Sequence, residues 1–111
     1  MNAAAPLSHP PVTNPHVTEL HTLEDQISEL AAHISAATWR LLTLIREFDL
    51  RSGWNCGSAR SCAHWLNWKC GIALGAAREK VRVAHALARL PEISVAFREG
   101  RVSYSKVRAM T

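Results

Sequence analysis

Apolar residues recur at intervals of three and four from residue 20 to residue 48, the spacing of one face of a long helix. This heptad seam consists of Leu20, Leu23, Ile27, Leu30, Ile34, Ala37, Leu41, Leu44 and Phe48. Complementary charges are few at the positions that flank it, so they specify a coiled-coil partner only weakly. Beyond Thr38, the residues Trp39, Leu42 and Ile45 add apolar surface off the seam. We therefore expect this second part of the helix to be buried on more than one side.

The remainder of the chain is punctuated by helix caps and stop signals. A loop from Asp49 to Ser61, anchored by Trp54, separates the long helix from the rest. Shorter helices are predicted at 61–70, 76–90, 91–99 and 104–111, with Ser61 and Ser103 as caps and Gly71 and Gly100 as stops. The predicted fold is all-α, a long amino-terminal helix packed against a compact group of about four shorter helices, helix-turn-helix-like in part.

The two ends of the chain differ in character. Residues 1–18 contain no charged side chain and four of the five prolines, which predicts a disordered leader. The helical domain is then 19–111. Because the last predicted helix has no stop signal after Tyr104, we expect the domain to be truncated at its carboxyl end.

Charge is distributed unequally along the chain. Residues 1–50 carry two basic and six acidic side chains, a net −4, whereas residues 51–111 carry eleven basic and three acidic side chains, a net +8. This asymmetry favours a polyanion or another acidic partner for the second half. No apolar run approaches the roughly 18 residues of a membrane span, and three cysteines do not form a disulfide framework. We expect a cytoplasmic protein with no membrane partner.

One predicted helix carries a basic strip. Its members lie four, three and four residues apart and project in the same direction, so they can contact phosphates; they are Arg78, Arg82, His85 and Arg89. The preceding helix and the turn at Gly71 make this region similar to a helix-turn-helix, whose second helix enters the major groove. A solvated helix face is the alternative explanation of the same strip.

The candidate metal and catalytic residues are poorly spaced. Five, one and five residues lie between Cys56, Cys62, His64 and Cys70, whereas structural zinc sites usually use pairs separated by two to four residues. No sequence signature pairs a nucleophile with a base. We therefore expect no metal, no cofactor, no small-molecule substrate and no catalytic residue.

Several runs together resemble a known family. The stretch SCAHWLNWKCGI from Ser61, the stretch GAAREKVRVA from Gly75, Leu90–Pro91 and GRVSYSKVR from Gly100 are similar to the actinobacterial domain of unknown function 222, of the 13E12 repeat family. The resemblance covers about residues 20–111. It implies that in longer relatives the helical domain precedes an HNH nuclease module, of which this chain shows no motif.

Two functions follow as expectations. The first is a non-catalytic, DNA-associated domain of an HNH-nuclease-associated protein, which binds phosphates through the basic strip. The alternative is an interaction module, for which a homodimer would pair Leu20, Leu23, Ile27, Leu30 and Ile34. A remnant fragment without independent function is a further reading of the same sequence.

Overall fold

The computed structural model describes residues 15–111, which contain five α-helices and no strand. The helices are α1 (Pro15–Leu50), α2 (Cys62–Cys70), α3 (Leu74–Leu87), α4 (Pro91–Arg98) and α5 (Tyr104–Met110), with a 3₁₀ turn at Gly53–Cys56. The all-α prediction is confirmed. Residues 1–14 of the predicted leader lie outside the described residues.

The chain divides into two units, Met1–Leu30 and Ala31–Thr111. In the first, every residue from 15 to 30 is helical and exposed. The helix therefore begins four residues before the predicted boundary at residue 19, because Pro15 at the start of a helix costs no hydrogen bond and its φ already suits the helix.

The second unit contains the hydrophobic core. Its largest fully buried side chains are Phe97, Leu42, Leu66, Val83 and Val107. They come from all five helices, since the part of α1 after residue 30 belongs to this unit. Half-buried tryptophans and Phe48 pack around them. This part of α1 is thus held by tertiary contacts as well as by its own hydrogen bonds.

Within the second unit, α1 presents its apolar residues in two directions. Leu42 and Ile45 face the core, and Trp39 packs against it. Leu41 and Leu44, on the seam, are 37% and 50% exposed. The expectation that this part is buried on more than one side is therefore wrong, because the core takes the off-seam residues and, of the seam beyond Thr38, only its last member Phe48.

Local capping explains α2 and the turn after it. The Ser61 hydroxyl accepts a hydrogen bond from the His64 amide at 3.1 Å, and Gly71 ends the helix in the left-handed region at φ 70°. The Asn67 side chain donates to the Ile72 carbonyl at 2.9 Å, which holds the connection to α3. Three residues, one of them glycine, join α2 to α3, which is a connection of the length found in helix-turn-helix motifs.

The third helix is shifted relative to its predicted bounds of 76–90. It begins at Leu74, so that Gly75 lies within its first turn, and it ends at Leu87. Pro91 disfavours helical backbone at Leu90, and the chain turns before it. As a result Arg89 lies beyond the end of the regular helix.

A glycine turn between α4 and α5 closes on α1. Gly100 has φ 76°, and a Cβ atom there would lie 2.6 Å from the Ala32 carbonyl oxygen. Only glycine combines this backbone conformation with so close an approach. Ser103 then caps α5 by accepting from the Lys106 amide at 3.3 Å, as the sequence predicts.

Candidate nucleic-acid and protein interfaces

The basic strip lies on or just after α3, but its four members have different surroundings. Arg78, Arg82 and Arg89 are exposed, whereas His85 is half-buried. The spacing in sequence shows that the four side chains project from the same side of the helix. It does not show which of them is paired with a neighbouring carboxylate.

Glu79 occupies the middle of this region. Its carboxylate accepts from the Arg82 Nε at 2.8 Å and lies 3.5 Å from the Arg108 Nε of α5. The hydrogen bond from Arg82 lowers the pKa of Glu79, burial opposes this, and the charges of Arg82 and Arg108 reinforce it. Arg82 is therefore already paired, and its charge is largely offset where a phosphate would bind.

His85 is also engaged within the fold. Its Nε2 lies 2.7 Å from Oδ2 of Asp49, near the end of α1. The other oxygen of Asp49 accepts from the Trp54 indole N–H at 2.9 Å, as expected for a residue that anchors the loop. This carboxylate joins α1, the 3₁₀ turn and α3, so His85 has a structural partner rather than a free face.

Arg78 and Arg89 are the members of the strip that have no ion pair among residues 15–111. Nearby cations include Lys80, whose ammonium lies 4.8 Å from the centre of the Tyr104 ring, and Lys69, which lies 5.7 Å from that of Trp68. Trp68 itself is 72% exposed, whereas Trp65 packs on Phe48. The positive charges of this unit are therefore spread over its surface and do not form a single strip.

The heptad seam holds seven of the twelve exposed large hydrophobic side chains among residues 15–111. In the segment 15–30, Leu20, Leu23, Ile27 and Leu30 are 45–67% exposed. In the second unit Ile34 is 59% exposed and, with Ala37, Leu41 and Leu44, continues the same spacing. Soluble monomers rarely expose so many large aliphatic side chains in one row, and such rows mark interaction sites.

The cysteines are distributed over the surface and the core. Cys62 is buried, and burial, reinforced by the Asp49 charge, raises its pKa to about 11; Cys56 and Cys70 are exposed thiols. His64 is turned toward the chain before α2, where its Nδ1 accepts from the Arg60 amide at 3.1 Å. Among residues 15–111, no three metal-ligating side chains are grouped to hold an ion.

Comparison with known families identifies the chain. The model of the domain of unknown function DUF222 matches residues 18–111. The chain belongs to the DUF222 family. No curated protein and no solved structure matches it. The match agrees with the family that the tryptophan-rich helix and the Leu-Pro and Gly-Arg-Val-Ser landmarks indicate, and it assigns the DUF222 domain no activity.

The helices of this DUF222 domain were compared in length and apolar character with membrane-spanning helices. None of the helices between residues 15 and 111 has the length and apolar character needed to cross a membrane.

Sequence reasoning did not anticipate that Glu79 and Asp49 pair with Arg82 and His85. The spacing of three residues between Glu79 and Arg82 is a readable signal for the first pair, whereas the second joins residues 36 positions apart.

Proposed function

We propose that this DUF222 domain is a non-catalytic module that self-associates through the heptad seam of α1. The observation that carries the proposal is the exposure of the seam in both units, Leu20 to Leu30 in the first and Ile34 to Leu44 in the second. None of the residues 15–30 is buried, and a helix of that length by itself is marginal in water. Pairing of the seam stabilises it by removing the aliphatic side chains from solvent.

The proposal includes the setting of the domain. Its location is the cytoplasm, where the free thiols of Cys56 and Cys70 stay reduced. For longer relatives that carry an HNH nuclease module, as the family resemblance implies, pairing of this domain would bring two such modules into one assembly.

Mass in solution tests self-association. We expect the full chain to sediment at twice 12.3 kDa at micromolar concentration. Leu23→Glu or Leu30→Glu should shift it to monomer, weakening pairing at least about 100-fold, because each burial is worth roughly 1.5–3 kcal/mol and a charge replaces it in two chains.

A matched control separates this effect from added charge. Ser28 is exposed on the same helix but off the seam, so Ser28→Glu should leave the dimer intact. A wild-type chain that stays monomeric at 100 times this concentration, or equal behaviour of the three variants, would rule out self-association.

Association with DNA is a second candidate, supported by the charge of the second unit. Residues 31–111 carry all thirteen basic side chains and five acidic ones, a net +8. Of the basic strip, Arg78 and Arg89 are the residues available to phosphates. The other two, Arg82 and His85, already hold carboxylates.

Binding of a fluorescent duplex at several salt concentrations tests this candidate. Arg78→Ala and Arg89→Ala should each weaken binding and each reduce the slope of log affinity against log salt by about 0.9. Arg82→Ala is the comparison: because Arg82 already pairs with Glu79, its substitution should weaken binding less than either of the other two. Equal effects of the three substitutions would contradict the assignment of Arg78 and Arg89 to phosphate binding. Absence of duplex binding at low salt would rule out association with DNA.

A further inference from the structure

A cavity of about 170 Å³ lies between α1, α3 and α4 in the second unit. Leu42, Ala84 and Leu87 in its lining are buried, whereas Thr43 and Ala88 are exposed and mark its opening. Its volume is close to that of an engineered apolar cavity of roughly 150 Å³ that binds benzene. A single small ring therefore fits between the three helices.

Trp39 forms one wall of this cavity, and the fold holds it in place. Its indole N–H donates to the Ser94 hydroxyl of α4 at 2.8 Å, and its backbone carbonyl accepts from the Thr43 hydroxyl at 2.9 Å. Because these polar groups are paired within the fold, the wall offers a ligand mainly apolar surface. Together with Leu42 and Leu87 it suits an aromatic ring, since contact between two rings adds to the gain from burying apolar area.

Arg46 is the one charged residue that lines the cavity among the described residues. It is half-buried and has no ion pair within residues 15–111. A further cation is close, because the Arg98 guanidinium lies 5.8 Å from the centre of the Trp39 ring. A half-buried guanidinium beside an apolar wall is matched by a carboxylate, to which it makes strong and frequently bidentate hydrogen bonds.

From this combination we propose that the cavity binds a small aromatic monocarboxylate. The ring lies against Trp39, Leu42 and Leu87, and the carboxylate accepts hydrogen bonds from Arg46. No standard amino-acid side chain carries both an aromatic ring and a carboxylate. The site therefore suits a free acid better than a side chain of a partner protein.

This site is separate from the surface proposed for self-association. With about 100° of rotation per residue, the lining residues of α1, from Trp39 to Arg46, share roughly 100° of the helix circumference. Leu41 and Leu44 of the seam point to the opposite side. We therefore expect ligand binding to be the same in the wild-type chain and in Leu23→Glu, so that failure of either proposal leaves the other standing.

Titration of the full chain with sodium benzoate at constant ionic strength tests the site. The indole N–H resonance of Trp39, assigned with Trp39→Phe, is followed in ¹H–¹⁵N spectra. We expect it to shift saturably, with half-saturation at about 1 mM or less for a ligand of this size. Trp68 is 72% exposed and reports on benzoate that stacks on any accessible indole, so its resonance should stay in place.

Two charge variants separate a built site from general attraction of anions. Arg46→Gln should weaken benzoate binding at least about tenfold, because it removes the charge that holds the carboxylate. Arg40→Gln is the matched control, since Arg40 is exposed on the same helix and does not line the cavity; binding should change by less than about twofold. The neutral analogue benzamide should bind the wild-type and Arg46→Gln chains equally well.

A third variant fills the space itself. Ala88 is exposed at the end of α3, so Ala88→Leu should keep the fold, which thermal unfolding checks. It should weaken binding of both benzoate and benzamide at least about tenfold, because the added side chain occupies the opening.

Three outcomes would overturn the inference. The first is a Trp39 resonance that does not shift saturably up to about 100 mM benzoate, or that shifts no more than the Trp68 resonance. The second is equal weakening by Arg40→Gln and Arg46→Gln, which would contradict the placement of the carboxylate on Arg46. The third is equally tight binding of cyclohexanecarboxylate, which would contradict the aromatic class of the ligand.

Discussion

The segment 15–30 and the unit 31–111 have the same secondary structure at their junction and opposite physical character. The segment has only exposed residues and a net charge of −4, whereas the unit contains all the buried residues found between residues 15 and 111 and has a net charge of +8. The regular three-four spacing of apolar residues is shared by both. Such a spacing therefore specifies a face of a helix and leaves open what covers that face.

The largest effect expected from this contrast is on stability. Phe97 is fully buried, so Phe97→Ala should reduce the free energy of unfolding by about 3–5 kcal/mol. Ile27 is 67% exposed, so Ile27→Ala should change it by less than about 0.5 kcal/mol in the monomer. Urea unfolding followed by tryptophan fluorescence reports on this unit, which holds all four tryptophans. Equal losses of unfolding free energy in the two variants would contradict the division of the chain into an exposed segment and a packed unit.

Thiol reactivity should distinguish surface from core in the same unit. Cys62 is 2% exposed and its pKa is raised from 9.0 to about 11, which leaves roughly 100-fold less thiolate at a given pH. In native protein we expect Cys56 and Cys70 to react quickly with a chromogenic disulfide, and Cys62 only after unfolding. Three equally fast thiols would show that the core is open.

The glycine turn against α1 gives a smaller and more local test. Gly100→Ala should destabilise the unit by about 2 kcal/mol or more, because it adds strain at positive φ and a clash with the Ala32 carbonyl. Gly71→Ala meets open space at a similar φ and should cost about 1 kcal/mol. Thermal unfolding of the two variants measures the difference, and the reverse order would argue against the close approach.

The smallest expected effect is that of a helix cap. Ser61→Ala removes the acceptor for the His64 amide and should reduce stability by about 1 kcal/mol. Ser61→Asp keeps an acceptor and is the control. If Ser61→Ala and Ser61→Asp have the same free energy of chemical unfolding, the Ser61 cap does not stabilise α2.

Sequence reasoning predicted some boundaries well because they depend on neighbouring residues. Ser61, Gly71 and Ser103 each act within one helical turn, and each is found in the predicted role. The start of α3 lies two residues before the predicted position 76, because Gly75 is accommodated inside the first turn of the helix. The spacing alone predicts that the basic strip lies on one side of α3. The pairing of His85 with Asp49 is not predictable in this way, because the two residues are 36 positions apart.

The sequence by itself determined the helices, the spacing of the seam, the unequal charge and the resemblance to the DUF222 family. All of these depend on residue identity and local periodicity. Only the tertiary structure decided that the core takes Leu42 and Ile45 and leaves Leu41 and Leu44 exposed, and that Arg82 and His85 are already paired. The physical reason is that a helix with two apolar stripes can bury either, and the choice belongs to the elements that pack against it.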